Sequence, residues 1–165
     1  IDLIAESAIS DLSALALSKS LRVAVDSRTN DTRVWGDALR LGQVVRNLIG
    51  NAIKFSPEGG RIGIVIDATE WEGHNVAMLS VLDEGVGIPS EELGAIFNKF
   101  VQSSKTKSGA GGTGLGLAIC KRVVADHRGV IWAENRSAGG AAFCILLPRT
   151  APSPDVASNA LRTAT

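Results

Sequence analysis

An excess of charge of either sign is what this chain lacks most plainly: 17 Lys and Arg stand against 17 Asp and Glu in 165 residues. A balanced surface offers no basic face to nucleic acid and no acidic tail of the solvating kind. Long apolar runs are missing too, and no secretory signal is recognisable. The expectation is therefore a soluble, cytoplasmic domain without direct membrane contact, any membrane anchor belonging to a longer parent protein. Cysteine is scarce. Cys120 and Cys144 lack CxxC spacing, have no cluster of histidines beside them and sit among apolar neighbours, which argues against a zinc site or a disulfide and predicts buried, reduced thiols. Histidine is limited to His74, in the polar stretch Glu72-Gly73-His74-Asn75, and His127, at the end of a helical pattern where histidine caps or packs against carbonyls.

What is present is length enough for one domain with a real core, ordered around one stretch, Gly109-Ala110-Gly111-Gly112-Thr113-Gly114-Leu115-Gly116-Leu117-Ala118-Ile119. A loop poor in side chains runs straight into an apolar helical pattern. Such a junction presents free backbone N–H groups and the positive end of a helix dipole to an anion, and glycine lets the anion come close. It reads as a phosphate cradle. A dinucleotide fingerprint is excluded because residues 102–108 are polar and supply no preceding strand, and a P-loop because no Lys-Ser or Lys-Thr follows the glycines.

In chain order, Ile1, Ile4, Ala5, Ala8, Leu12 and Leu15 recur at helical spacing, facing either this core or a missing neighbour. That helix begins without a cap, as if cut from a longer protein. Residues 21–26 alternate as an edge strand, with residues 32–35 as a short partner across a turn. From Asp37, a plausible N-cap, to Phe55 the pattern is the clearest in the protein, with Leu41, Val44, Val45, Leu48, Ile49, Ala52 and Ile53 on one face. Arg40, Gln43, Asn47, Asn51 and Lys54 run along the other. Two asparagines one turn apart are unusual on a solvated helix, since Asn pulls towards turns. Beside Mg²⁺ and a triphosphate they make sense: the Asn51 carbonyl is a hard, uncharged metal ligand and Lys54 a point charge for phosphate.

Strands follow over residues 61–69 and 75–82, joined through residues 70–74, and the apolar density of residues 76–82 predicts a central strand covered on both faces. Asp83 closes it within Asp83-Glu84-Gly85-Val86-Gly87-Ile88-Pro89. A carboxylate at the end of a buried strand needs a donor, and the adenine amine is one; Gly85 and Gly87 would let backbone approach a flat ring. Ser90 is placed to cap a short helix reaching Phe97 and Phe100, both read as core. Residues 101–111 have the length and polarity of a lid. A helix to His127 and strands over 130–134 and 141–147 complete the domain, and a Ser, Thr, Ala and Pro tail follows.

Taken together, Asn47-x-x-x-Asn51-Ala52-x-Lys54-Phe55, Asp83-x-Gly85-x-Gly87-Ile88-Pro89, Phe97-x-x-Phe100-x-Gln102 and Gly112-Thr113-Gly114-Leu115-Gly116-Leu117 closely resemble the N, G1, F and G2 boxes of sensor histidine kinases. The resemblance spans roughly residues 21–148. It implies a two-layer α/β sandwich, a mixed and mostly antiparallel sheet with helices on one face, of the superfamily shared with gyrase and mismatch-repair ATPases. Residues 1–20 would then lead from an upstream domain and residues 149–165 form a linker or disordered tail. By resemblance, ATP and Mg²⁺ are the cofactors. Asn51 would hold the metal with Asn47 supporting it, and Asn51 with Lys54 would serve catalysis. Asp83 would take the adenine amine, with Gly85, Gly87 and Ile88 around it. Lys54, Phe55 and Phe100 would border the nucleotide, while Gly112, Thr113, Gly114, Leu115 and Gly116 would line the triphosphate. Lys105 and Lys107 are alternative partners for the γ-phosphate. The implied partners are the dimerisation and phosphoacceptor domain of the same kinase and the receiver domain of a response regulator, to which the phosphoryl group passes. Neither His74 nor His127 has the acceptor context, so the acceptor histidine is expected on another domain. A stand-alone serine kinase resembling the anti-sigma-factor kinases, or a non-catalytic nucleotide-binding module, are the other readings.

Overall fold

The computed structural model describes residues 1–105 and 113–150. Helix α1 (Asp2–Ser18) precedes strand β1 (Arg22–Ser27) and helix α2 (Ala38–Phe55). Strands β2 (Arg61–Trp71) and β3 (His74–Leu82), helix α3 (Gly116–Asp126) and strands β4 (Val130–Asn135) and β5 (Ala141–Pro148) follow. The strands form one sheet in the order β1-β2-β3-β5-β4, with β1 parallel to β2 and every other pair antiparallel.

Period-two alternation places Ile62, Ile64 and Ile66 of β2 on the same face as Ala77, Leu79 and Val81 of β3 and Phe143, Ile145 and Leu147 of β5. The three helices cover that face. α2 turns its apolar stripe onto it, and Asp37 caps the helix by accepting from the N–H groups of Leu39 (2.9 Å) and Arg40 (3.1 Å). Ala5 and Ala8 of α1 are fully buried in this core, whereas Leu15, at the other end of the same stripe, is 49% exposed. The two-layer α/β sandwich is borne out. Among the described residues no helix is long and apolar enough to cross a membrane.

Four local expectations need correction. Residues 32–35 are not a strand: hydrogen bonds from Asp31 N–H to Thr29 Oγ1 and from Arg33 N–H to Asp31 Oδ1 turn the backbone locally, and the Trp35 N–H is spent on the Pro148 carbonyl. The β2–β3 connection is a two-residue turn, Glu72-Gly73, with φ of 49° and 75°, the primed geometry that suits strand twist, so both strands run further than their alternation suggested. The helix expected from Ser90 is two 3₁₀ turns, Ser90–Glu92 and Ala95–Phe97, separated by Leu93 and Gly94, and Ser90 makes no capping bond. Central strand β3 carries a helical layer on one face alone; on the other, small Ser80 and Cys144 lie opposite one another, 3.2 Å apart, and are shielded by neighbouring strands without a second layer among the described residues.

The end of α2, which carries Lys54 and Phe55, is tied to α1. Lys19 Nζ donates to the carbonyls of Ile53 (2.9 Å), Lys54 (3.0 Å) and Ser56 (2.6 Å), groups that the last helical turn leaves without partners. Lys19→Met is expected to lower stability by about 1–3 kcal/mol. Thermal denaturation checks this, and an unchanged melting temperature would mean that the three contacts are not kept in solution.

Candidate functional site

The polar stripe of α2 opens onto a cavity of about 290 Å³. Asn47, Asn51, Lys54 and Phe55 form one wall because α2 buries its other face in the core. Asp83, Gly87 and Ile88 form the opposite wall, where β3 runs out, and Thr113, Gly114 and Gly116 close the side where α3 begins. Ile96, Leu117, Ala141 and Phe143 give it an apolar lining, with Phe143 set edge-on to core residue Phe97 at 6.5 Å.

Asp83 is 4 % exposed. Its Oδ1 accepts from the N–H groups of Gly85 (2.8 Å) and Ala141 (3.1 Å), while Oδ2 has no hydrogen bond among the described residues. Burial holds its carboxyl above the usual carboxylate range, partly offset by those two N–H groups and by Arg136. A carboxylate so placed is an acceptor looking for a donor.

Three supports of this wall escaped the sequence. Asn135, at the end of β4, clamps the Ile88 peptide from both sides, accepting from its N–H (2.8 Å) and donating to its carbonyl (2.6 Å). Arg136 Nη1 donates to the Asp83 carbonyl (2.6 Å). Gly140, at φ 82°, lies so close that a Cβ there would stand 2.0 Å from the Asp83 oxygen. The signal that could have found them is a run of polar and glycine residues in the β4–β5 connection, at the same sheet end as Asp83.

Not every expected residue reaches the cavity wall. Gly85 instead donates to Asp83 and packs against the Phe55 carbonyl, which a Cβ would meet at 2.7 Å. Phe100 is 74 % exposed rather than core, and it is its backbone N–H that is engaged, by the Gly114 carbonyl at 2.9 Å. Lys105 Nζ donates to the Val86 carbonyl at 3.1 Å, on the exposed side of the loop after β3. Leu115 is the N-cap residue of α3 and lies off the wall. Lys107 and Gly112 lie outside the described residues. Gln102 and Ser103, by contrast, do line the cavity.

Both cysteines are buried and free, as expected. Cys120, however, belongs to the site's surroundings: it accepts from Asn47 Nδ2 at 2.9 Å, and burial pushes its thiol up to about 11, so it keeps its proton. His127 is buried with both ring nitrogens engaged, Nε2 accepting from the Asp37 N–H at 2.9 Å and Nδ1 facing the Val123 carbonyl at 2.7 Å. Those partners assign the neutral Nδ1–H tautomer, a tie between α3 and the start of α2.

A carboxylate, an amide pair and a glycine-bordered helix start around one cavity is an arrangement with known counterparts. The profile described as histidine kinase-, DNA gyrase B- and HSP90-like ATPase matches residues 36–151. The chain belongs to this ATPase family. Within it, sensor histidine kinase WalK of Bacillus subtilis (strain 168) is 42% identical over 119 residues, which are 72% of this chain and 19% of WalK. The chain spans well under half the length of the curated relatives it matches. Its fold is that of the catalytic domain of histidine kinase ThkA, with a TM-score of 0.78 at 31% identity, covering 91% of this chain and 93% of that one. ThkA in complex with response regulator protein TrrA (0.74, 28%, 91% of this chain and 40% of that one) and full-length ShkA in complex with AMPPNP (0.74, 30%, 92% and 30%) are similar too. The relatives of this ATPase domain are thus sensor histidine kinases.

Proposed function

We propose that this domain holds Mg-ATP and delivers its γ-phosphoryl group to a histidine on a separate dimerisation domain, from which an aspartate of a response regulator receives it. The observation that carries the reading is that Asp83, on one wall, and Asn47, Asn51 and Lys54, on the other, share one cavity. Adenine sits against Asp83, giving its exocyclic amine to Oδ2; guanine would present a carbonyl oxygen there and be repelled. The triphosphate then extends towards Thr113, Gly114 and Gly116, where α3 starts and the N–H groups of its first turn need acceptors.

The residues present fit a magnesium ion. Among the described residues no three His, Cys, Asp or Glu side chains converge, and the donors at hand are the half-buried amides of Asn47 and Asn51. Amide oxygens are hard ligands that add no negative charge beside phosphates. Asn51 would hold the ion, whose chemistry is to neutralise charge on the phosphate oxygens. Lys54 supplies a second positive charge at the same wall.

The chain incubated alone with γ-labelled ATP and magnesium is expected to retain no label, since His127 is locked in structural bonds and neither histidine lines the cavity. Adding the helical phosphoacceptor domain of its parent kinase should yield label on that domain, labile to acid and stable to base. Acid-stable label on this chain would mean a serine kinase instead, and nucleotide binding with no label on either domain would mean a non-catalytic nucleotide-binding module.

A further inference from the structure

Asn47 stands between two cavities. With Gly116 it lines the one described above, and the same pair lines a second of about 160 Å³ together with Gln43, Val44, Ile119 and Cys120. Its side chain lies flat on Gly116, where a Cβ would be 2.7 Å from Oδ1 and 2.9 Å from Nδ2. Packing alone does not distinguish the two ends of an amide, which are almost the same size and opposite in hydrogen-bonding sense. Turned one way the amide offers its oxygen to the larger cavity; turned the other way it offers an NH₂ group, which repels a cation.

Cys120 removes the ambiguity. Its thiol hydrogen has an acceptor in the Val44 carbonyl, 3.9 Å away on α2, so the sulfur lone pairs are left for Asn47, whose Nδ2 donates to Sγ at 2.9 Å. We propose that Cys120 is a positioning residue for the metal side of the site: by holding Nδ2 it leaves Asn47 Oδ1 for the larger cavity, where Asn51 and Lys54 would hold magnesium and the phosphates. The inference rests on the Mg-ATP reading. It assigns the thiol a role in orientation and none in chemistry. The residue must both donate to α2 and accept from it, which Ser can do on a shorter arm, and Ala and Val cannot.

The test is a titration of the whole chain with a fluorescent ATP analogue, with and without magnesium. The quantity read is the ratio of the two affinities. In Cys120→Ala this ratio should fall about three- to tenfold, the weight of one neutral hydrogen bond, while magnesium-free binding stays near wild type and reports that the fold is intact. Cys120→Ser should restore the ratio, and in an Asn47→Ala background Cys120→Ala should have no further effect on it. An unchanged ratio in Cys120→Ala, or an equal loss with Asn47 already removed, would overturn the proposal. If the wild-type chain bound no nucleotide at all, the Mg-ATP reading itself would be wrong and the inference would fall with it.

Discussion

Asp83→Asn is expected to weaken ATP binding tenfold or more while leaving the fold at least as stable as before. The acceptor offered to the adenine amine is a carboxylate, and a hydrogen bond to a charged group is worth roughly 1.5–3 kcal/mol. An Asn in its place can keep accepting from Gly85 and Ala141 through one oxygen, but turns an NH₂ group towards the amine. The stability half of the prediction follows from the raised pKa. Between the ordinary carboxylate value and the raised one, the folded state binds a proton that the unfolded chain has lost, so stability falls as pH climbs through that window. Neutral Asn escapes this loss. Calorimetric titration with ATP and a thermal melt at neutral pH read the two halves separately. Equal affinity would remove Asp83 from the nucleotide, and a melt collapsing together with binding would make it a structural residue.

Gly140→Ala should have the largest effect on the fold itself, about 2–5 kcal/mol of lost stability. Two costs combine. A side chain at φ 82° is strained by about 1–2 kcal/mol, and a Cβ placed 2.0 Å from a backbone oxygen must displace it, at roughly the 1–3 kcal/mol of an overpacked core. The displaced group is the Asp83 carbonyl, so nucleotide affinity should fall with stability. Gly139 offers the internal control: its φ is 91°, yet a Cβ there meets nothing within 4 Å. Gly139→Ala should therefore show the backbone cost alone. Denaturant midpoints for the two variants decide it, and equal losses would mean that the close approach to Asp83 relaxes freely.

How much of this was legible beforehand depended on whether a contact is local. The α2 stripe could be read because helical spacing projects Asn47, Asn51 and Lys54 to one side whatever the rest of the chain does. Asp83 could be read because an acidic residue ending an apolar strand is conspicuous. Asn135 and Arg136 could not: their partners, Ile88 and Asp83, lie 47 and 53 residues away, and nothing local marks the pairing. Residues 32–35 misled because so short an alternation carries less weight than the Thr29 and Asp31 side-chain turns beside it. Phe100 misled for a related reason. Spacing put it in register with Phe97 on a helix, but Ala95–Phe97 is a single 3₁₀ turn, and by residue 100, at φ 63°, the backbone has left any helical path.

The bond from Phe100 N–H to the Gly114 carbonyl also bears on how chains of this design can diverge. It brings together the two ends of the segment holding residues 101–113, at a point anchored to the rigid frame on one side by Phe97 and on the other by α3. Where the two ends of a segment are held together, the closure entropy grows only with the logarithm of its length, about 0.6 kcal/mol for each doubling. Length changes between residues 105 and 113 should therefore cost little in closure entropy, whereas Gln102, Ser103 and Thr113, which share the cavity with Asp83 and the α2 stripe, are not free to change in the same way. Length variation in related chains should concentrate inside that closure and stop abruptly at its two ends.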